Sequence, residues 1–258
     1  MKAVILAGGL GSRLSEETTL RPKPMVKIGG RPILWHVMKI YAAHGVEEFV
    51  VCLGHMGDVI KRWFANYALH SSDVTFDLRA NTMEVHRSSI EPWRVTLVDT
   101  GAETMTGGRL RRAMPFVGDE TFCLTYADGL ADVDVGALIA RHREIGALAT
   151  VTAVQAPGRF GTLDVGAQAE RARGFREKPP GEDTWINGGF FVCEPGVVAL
   201  IGGDDVAWEE QPLTELAARG ELGVHYHRGF WHAMDTLSDR IELEELWRAG
   251  RAPWRTWS

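Results

Sequence analysis

The chain is 258 residues long, 45% hydrophobic and 24% charged, with a formal net charge of −6 at pH 7. This composition excludes disordered and fibrous classes and leaves room for one large α/β domain with a sizeable core. It also excludes a nucleic-acid surface, since counterion release needs clustered cations and the densest basic group is only Arg109, Arg111 and Arg112. Cys52, Cys123 and Cys193 sit in separate apolar stretches at no metal or redox spacing, and read as core thiols in a reducing cytoplasm. Glycines cut the first apolar run short of a signal segment, and no apolar run approaches membrane-spanning length, so a cytoplasmic chain without a membrane partner is expected.

Lys2 to Leu6 is a short apolar run ending at Ala7-Gly8-Gly9, the pattern of a buried strand in a parallel sheet. The loop Gly8-Gly9-Leu10-Gly11-Ser12-Arg13 follows, and its glycines let backbone N–H groups approach phosphate oxygens. Arg13 adds a planar guanidinium suited to bidentate phosphate contact, and Lys23, stiffened between Pro22 and Pro24, supplies a second cation. A dinucleotide fingerprint would need glycine at Leu14, and the Walker loop needs Gly-Lys-Ser/Thr, which is absent from this register. An ordinary tight turn is the alternative; three glycines together with Arg13 and Lys23 favour phosphate.

Residues 32–44 carry Leu34, Val37, Met38 and Tyr41 at helical spacing before Gly45, residues 49–54 read as a buried strand, and residues 59–67 as a second amphipathic helix. Strand and helix in alternation predict a right-handed parallel sheet. Residues 74–98 break the rhythm with three strand-like runs, read as a β insertion. It is either a subunit contact anchored by Trp93 or a hairpin trimming the monomer.

Thr104-Met105-Thr106-Gly107-Gly108-Arg109 precedes a helix through Leu110, Ala113 and Met114, an arrangement that suits an anion or simply a capped helix. Residues 122–126 form a buried strand with Asp128 past its carboxyl end, where open α/β sheets bind ligands, although Ala-Asp-Gly alone also reads as a turn. A helix over 135–145 and a strand over 149–155 follow, then Phe175-Arg176-Glu177-Lys178-Pro179, which ends a strand on a fixed proline. Asn187 offers an amide beside Gly188 and Gly189, glycines that would leave room for a ring. Residues 229–236 read as an aromatic strand ending at Asp235, which equally suits a helix N-cap. Helices are expected over 195–200, 208–219 and 240–249, the last clamped by Trp247, Trp254 and Trp257.

The run Leu6-Ala7-Gly8-Gly9-Leu10-Gly11-Ser12-Arg13-Leu14 with Pro22-Lys23-Pro24-Met25 is similar to the signature of sugar-1-phosphate nucleotidylyltransferases. Leu34-Trp35-His36, Asn81-Thr82-Met83-Glu84-Val85-His86, the run from Glu91 to Gly101 and Trp185-Ile186-Asn187-Gly188-Gly189-Phe190-Phe191 resemble the bacterial glucose-1-phosphate cytidylyltransferases, essentially end to end. Together with the alternation above, this resemblance implies one Rossmann-like α/β domain over 1–258, with a mixed, mainly parallel central sheet flanked by helices and a small β insertion. The nucleotide half would be about 1–130, with the insertion at about 74–98, and the sugar-phosphate half about 131–258. It implies cytidylyl transfer from CTP to a sugar 1-phosphate, with Mg²⁺ as cofactor, in a homo-oligomer.

By the same resemblance, Arg13, Lys23, Asp128, Lys178 and Asp235 carry over as catalytic residues, with Asp128 and Asp235 as the metal ligands. Leu6 to Arg13, Lys23, Thr104, Gly107, Arg109 and Asp128 carry over as nucleotide contacts, and Glu177, Lys178, Asn187 and Gly188 as sugar-phosphate contacts. The chain departs from the family pattern at Ser12 for threonine, Lys27 for an acid, Ala127 for glycine and His232-Ala233 for Gln-Pro. The last change abuts the expected sugar pocket and bears on the acceptor. Alternatives are another nucleotide or sugar phosphate within the class, or a non-catalytic nucleotide-binding protein, which the presence of both acids disfavours.

Overall fold

The computed structural model describes residues 1–11, 14, 18, 21–155, 162–164, 171, 174–176 and 185–257. The first half runs β1 (Lys2–Leu6), β2 (Lys27–Ile28), β3 (Arg31–Pro32), α1 (Ile33–Ala42), β4 (Glu48–Leu53), α2 (Gly57–Ala65), α3 (Tyr67–His70), β5 (Ser72–Asp77), β6 (Thr82–Ser88), β7 (Arg94–Asp99) and α4 (Thr106–Val117). The second runs β8 (Phe122–Tyr126), β9 (Gly129–Ala131), α5 (Val135–Ile145), β10 (Ala149–Gln155), β11 (Thr162–Asp164), β12 (Gly174–Arg176), β13 (Trp185–Cys193), α6 (Gln211–Ala218), β14 (Leu222–His227), β15 (Trp231–Ala233) and α7 (Leu237–Arg248).

Among the described residues nine strands form one central sheet, ordered β12-β11-β13-β8-β1-β4-β7, with β10 joining β13 to β14. Strands β8, β1, β4 and β7 run parallel, β13 enters antiparallel to β8, and β10 and β14 are parallel to each other. The sheet is therefore mixed, with a parallel block at its centre, as the alternation of strand and helix leads one to expect. The central strands are apolar on both faces because both faces are covered. Ala3 and Ile5 of β1 join one core layer with α1 and Leu243 of α7, while Val4 and Leu6 join the other with Leu110, Ala113 and Val117 of α4. Each fully buried Val, Leu or Ile side chain among them contributes about 1.5–3 kcal/mol of transfer free energy.

Helix α1 buries eight of its ten residues, His36 among them. The sheet covers one side, and Trp247, Trp254 and Trp257, expected from sequence to clamp the last helix, pack against the other. Trp254 is fully buried and donates Nε1–H to His36 Nδ1 at 3.4 Å, while the Trp247 and Trp257 rings lie 4.8 and 6.3 Å from the imidazole. A local hydrogen bond marks a shifted boundary. The helix expected over 59–67 begins at Gly57 and stops at Asn66, whose side-chain amide donates to the Arg62 carbonyl at 2.8 Å, before the short α3 resumes the turn.

The insertion is smaller than its sequence pattern. Strands β5 and β6 form an antiparallel hairpin, but β7 pairs in parallel with β4 at the edge of the main sheet. Val95 to Val98 therefore belong to the core sheet. Trp93 is likewise no outward anchor: its ring packs 5.6 Å from Phe49, 6.3 Å from Tyr67 and 6.4 Å from Trp35. Residues 195–200 form a 3-10 turn, and α6 starts at Gln211, where Pro212 suits the first turn. No helix among the described residues is long and apolar enough to cross a membrane.

Candidate functional site

A cavity of about 510 Å³ opens at the carboxyl ends of β1 and β8, bounded by residues 6–11 and 102–106 with Lys23, Pro24, Arg109, Tyr126, Asp128 and Asp235. Leu6 pairs with Tyr126 across those two strands, so the glycine loop and the Asp128 loop leave the sheet side by side. This is where an open α/β sheet places its ligand.

Under the loop lies Arg109, 4% exposed. Its guanidinium donates to the carbonyls of Leu53, Gly8, Gly101 and Ala102 at 2.7–3.1 Å, and to Thr100 Oγ1 at 2.9 Å. It holds the loop from beneath, tying the Gly8 carbonyl to those of Leu53, Gly101 and Ala102. A Cβ on Gly8 would overlap that guanidinium, whereas the corresponding position on Gly9 is open for 4 Å. The first glycine is thus small for the arginine, and the second faces the cavity.

Of the amides at the start of α4, which suit an anion or a capped helix, those of Met105, Gly107 and Gly108 are taken by the protein itself. Met105 N donates to the Asp204 carbonyl at 2.7 Å, and Gly107 N and Gly108 N to the Val206 carbonyl at 3.0 and 3.2 Å. A Cβ on Gly108 would come within 2.6 Å of Asp204 Cα, so the paired glycines admit this loop. Thr104 and Thr106 do line the cavity. Thr106 Oγ1 accepts from Trp208 N at 2.8 Å and donates to Glu209 at 2.5 Å, extending the same clasp.

The two expected metal acids converge, although 107 positions separate them (235 minus 128). Strands β9 and β15 pair antiparallel, Gly129 opposite Ala233, and Met234 N donates to the Asp128 carbonyl at 2.9 Å. That register brings Asp128 and Asp235 together at one end of the two-stranded sheet. Between them sits Lys23, Nζ 2.6 Å from Asp128 Oδ2 and 2.7 Å from Asp235 Oδ1. Burial works most strongly against the ammonium charge, but the two carboxylates together outweigh it and hold the Lys23 pKa above its ordinary value. One cation already touches an oxygen of each acid, which is the fit a small divalent cation needs. Among the described residues no group of three or more His, Cys, Asp or Glu could hold a metal, and Mg²⁺ asks for only one or two carboxylates plus phosphate and water oxygens.

On the acceptor side, Asn187 Nδ2 lies 3.4 Å from the Tyr126 hydroxyl, and its Oδ1 accepts from Gly189 N at 2.8 Å. The neighbouring glycines do not open a ring-sized space. A Cβ on Gly188 would meet Val154 at 2.8 Å and the Thr152 carbonyl at 3.0 Å, and one on Gly189, whose φ is +80°, would meet the Tyr126 ring at 2.7 Å. They serve the irregular register between β10 and β13 and the seat of Tyr126. Gly188 O accepts from Trp231 Nε1 at 2.7 Å, tying this strand to β15. Ser12, Arg13, Glu177 and Lys178 lie outside the described residues. Of the departures, Ala127 is buried in the core, Lys27 is exposed, and His232 is bonded to Asp239 at 3.2 Å. Tyr126 and Thr106 were missed from the sequence: Tyr126 had a signal, as the polar-tipped end of the strand before Asp128, and Thr106 had none beyond a possible cap.

Residues 2–219 match the family model described as "Nucleotidyl transferase". The chain belongs to the nucleotidyl transferase family. This nucleotidyltransferase is 58% identical over 258 residues to "Glucose-1-phosphate cytidylyltransferase" of Salmonella typhi, covering 100% of each chain. It is 45% identical over 259 residues to "Probable glucose-1-phosphate cytidylyltransferase" of Bacillus subtilis (strain 168), again covering 100% of each. The crystal structure of UDP-glucose pyrophosphorylase complexed with UDP-glucose superposes on the nucleotidyltransferase with a TM-score of 0.76 over 97% of this chain and 99% of that one. At 16% identity that likeness speaks to the fold alone.

Proposed function

We infer that the chain transfers a cytidylyl group from CTP to α-D-glucose 1-phosphate, giving CDP-glucose and pyrophosphate. The observation that carries this is the 58% identity, end to end, with the Salmonella typhi enzyme. The cavity supports it, with a glycine loop and two acids bridged by a lysine at the carboxyl ends of parallel strands.

A phosphate oxygen of the sugar 1-phosphate attacks the α-phosphorus of CTP. A new P–O bond forms as the α,β-bridging P–O bond breaks, and its electron pair leaves with pyrophosphate. The nucleophile is already an anion, so no general base is required; the site must hold two repelling anions in line and carry charge on the leaving group. The amides of residues 8–11 and the cations of Arg13 and Lys23 receive the triphosphate. Arg109 acts from below, pinning the glycine loop through the Gly8 carbonyl. Lys178 neutralises the sugar phosphate, and Glu177, Asn187 and Gly188 take the sugar. Asp128 and Asp235 hold Mg²⁺, which when bound supplies positive charge to the reacting phosphates.

The hairpin of β5 and β6 supports assembly with further copies of the chain in the cytoplasm. It leaves Phe76, Leu78, Met83 and Val85 between 49% and 90% exposed, an apolar face that monomers rarely present to water.

Pyrophosphate release from glucose 1-phosphate and Mg²⁺, with CTP, UTP, dTTP, ATP and GTP in parallel, tests the reading. Release with CTP far above the others is expected. Equal release with UTP or dTTP would move the chain to another nucleotide within the family, and silence with all five would overturn turnover of this acceptor.

A further inference from the structure

We propose that Asp239 is a positioning residue for the reaction's metal site: from the first turn of α7 it fixes the backbone of Asp235, and His232 braces it from behind. The proposal rests on Asp128 and Asp235 being the metal ligands.

Asp239 is 5% exposed, and its carboxylate accepts from both directions. Oδ2 takes Thr236 N at 2.7 Å, Thr236 Oγ1 at 2.8 Å and Asp235 N at 3.0 Å, while Oδ1 takes His232 Nε2 at 3.2 Å. Because a carboxylate only accepts, the His232 ring carries its proton on Nε2 at this contact.

Part of this is a capping box. Thr236 is the N-cap of α7, its hydroxyl accepts from Asp239 N at 3.2 Å, and Asp239 answers the cap amide. Capping the helix needs neither the Asp235 amide nor the His232 ring. Those two contacts instead fasten the residues on either side of Met234, which is fully buried and bonded through its own amide to the Asp128 carbonyl. The Asp235 amide also approaches the Ala233 carbonyl at 3.1 Å, so its N–H is shared between strand and helix. The peptide that carries Asp235 is thus held on one side by the Asp128 loop and on the other by Asp239. The direction of the Asp235 carboxylate toward Asp128 follows from these anchors.

A side chain that orients a metal ligand without touching the metal typically changes metal affinity by about 10–100-fold when removed. The expected effect of Asp239→Ala is therefore a loss of at least about tenfold in Mn²⁺ affinity. Thr236→Ala weakens the same helix cap but leaves the Asp235 amide and the His232 ring on Asp239. It should lower the unfolding temperature with Mn²⁺ affinity unchanged. His232→Leu should weaken Mn²⁺ binding by less than Asp239→Ala, and His232→Gln, which keeps a side-chain N–H donor, should restore it.

The test is titration of each purified full-length variant, saturated with CTP, with Mn²⁺, bound metal read by electron paramagnetic resonance against a protein-free sample of the same CTP and Mn²⁺, with unfolding temperatures measured alongside. Selective weakening in Asp239→Ala and His232→Leu, with Thr236→Ala like the parent, supports the proposal. Parent-like affinity in Asp239→Ala, while Asp128→Asn loses the metal, overturns it and leaves the metal assignment standing. If the parent binds no Mn²⁺, or Asp128→Asn binds it as well as the parent, the metal assignment falls and the proposal with it. Should Asp239→Ala fail to fold, His232→Leu against His232→Gln decides the same question.

Discussion

Replacing Lys23 with methionine leaves a side chain of similar length and removes a cation that touches both Asp128 and Asp235. Removing one partner of a buried ion pair costs about 3–5 kcal/mol, because the other charge stays desolvated. Here Asp128 and Asp235 are 29% and 16% accessible, so solvent screening brings the cost to about 2–3 kcal/mol. At about 2–4 °C per kcal/mol for a chain of this size, Lys23→Met should unfold roughly 4–12 °C below the parent. Mg²⁺ should then reverse the loss, since a divalent cation can take the place of the ammonium. A ligand at 100 times its Kd returns about 2.7 kcal/mol. The assay is thermal unfolding of both proteins in matched ionic strength with and without millimolar MgCl₂. A large Mg²⁺-dependent rise in Lys23→Met against a small one in the parent is expected. Equal rises, or a variant as stable as the parent without Mg²⁺, would refute the assignment of the two acids to one cation.

Two further outcomes follow from the packing. Burial pushes the His36 pKa down to about 4, with the Ile28 carbonyl and Glu244 pulling it up and Arg31 pulling it down. Between pH 6.5 and 4 the unfolded chain binds a proton that the folded chain refuses, so this contribution to stability is full above 6.5 and falls as pH drops, by about 3 kcal/mol in all. Urea unfolding at pH 7.5 and 5 should show a steeper loss in the parent than in His36→Gln, and equal slopes would contradict it. For the hairpin, the double substitution Phe76→Glu with Leu78→Glu should shift sedimentation to a smaller species than the parent, and an unchanged sedimentation coefficient would remove this face from the assembly.

The central strands were legible because a strand buried on both faces has little choice of composition: residues 2–6, 49–53 and 122–126 are apolar runs closed by turn residues. What failed was partner assignment. Residues 94–99 look like the third strand of a meander, and only their pairing with Glu48–Leu53 moves them into the core sheet. Trp93 follows the same rule, since a tryptophan in a polar loop reads as an anchor until its aromatic neighbours are known. From sequence, Gly188 and Gly189 read as room for a ring, and Gly107 and Gly108 as part of a helix start that suits an anion or a cap. Nothing local tells whether a ligand or the protein's own backbone fills that room, and here Asp204, Val206 and Val154 fill it. The meeting of Lys23 with acids 105 and 212 positions away depends on two strand registers that no local pattern encodes, so Asp128 was legible from its place past a buried strand but its pairing with Asp235 only through the resemblance.

The most direct test of the site is ³¹P NMR of product formation from CTP, glucose 1-phosphate and Mg²⁺, comparing the parent with Asp128→Asn at matched fold as judged by circular dichroism. The parent should give the paired phosphorus signals of CDP-glucose together with pyrophosphate. Asp128→Asn should give neither while unfolding near the parent's temperature. CDP-glucose formed by Asp128→Asn at the parent's rate would contradict the role of the carboxylate, and its absence from the parent reaction would contradict the reaction itself.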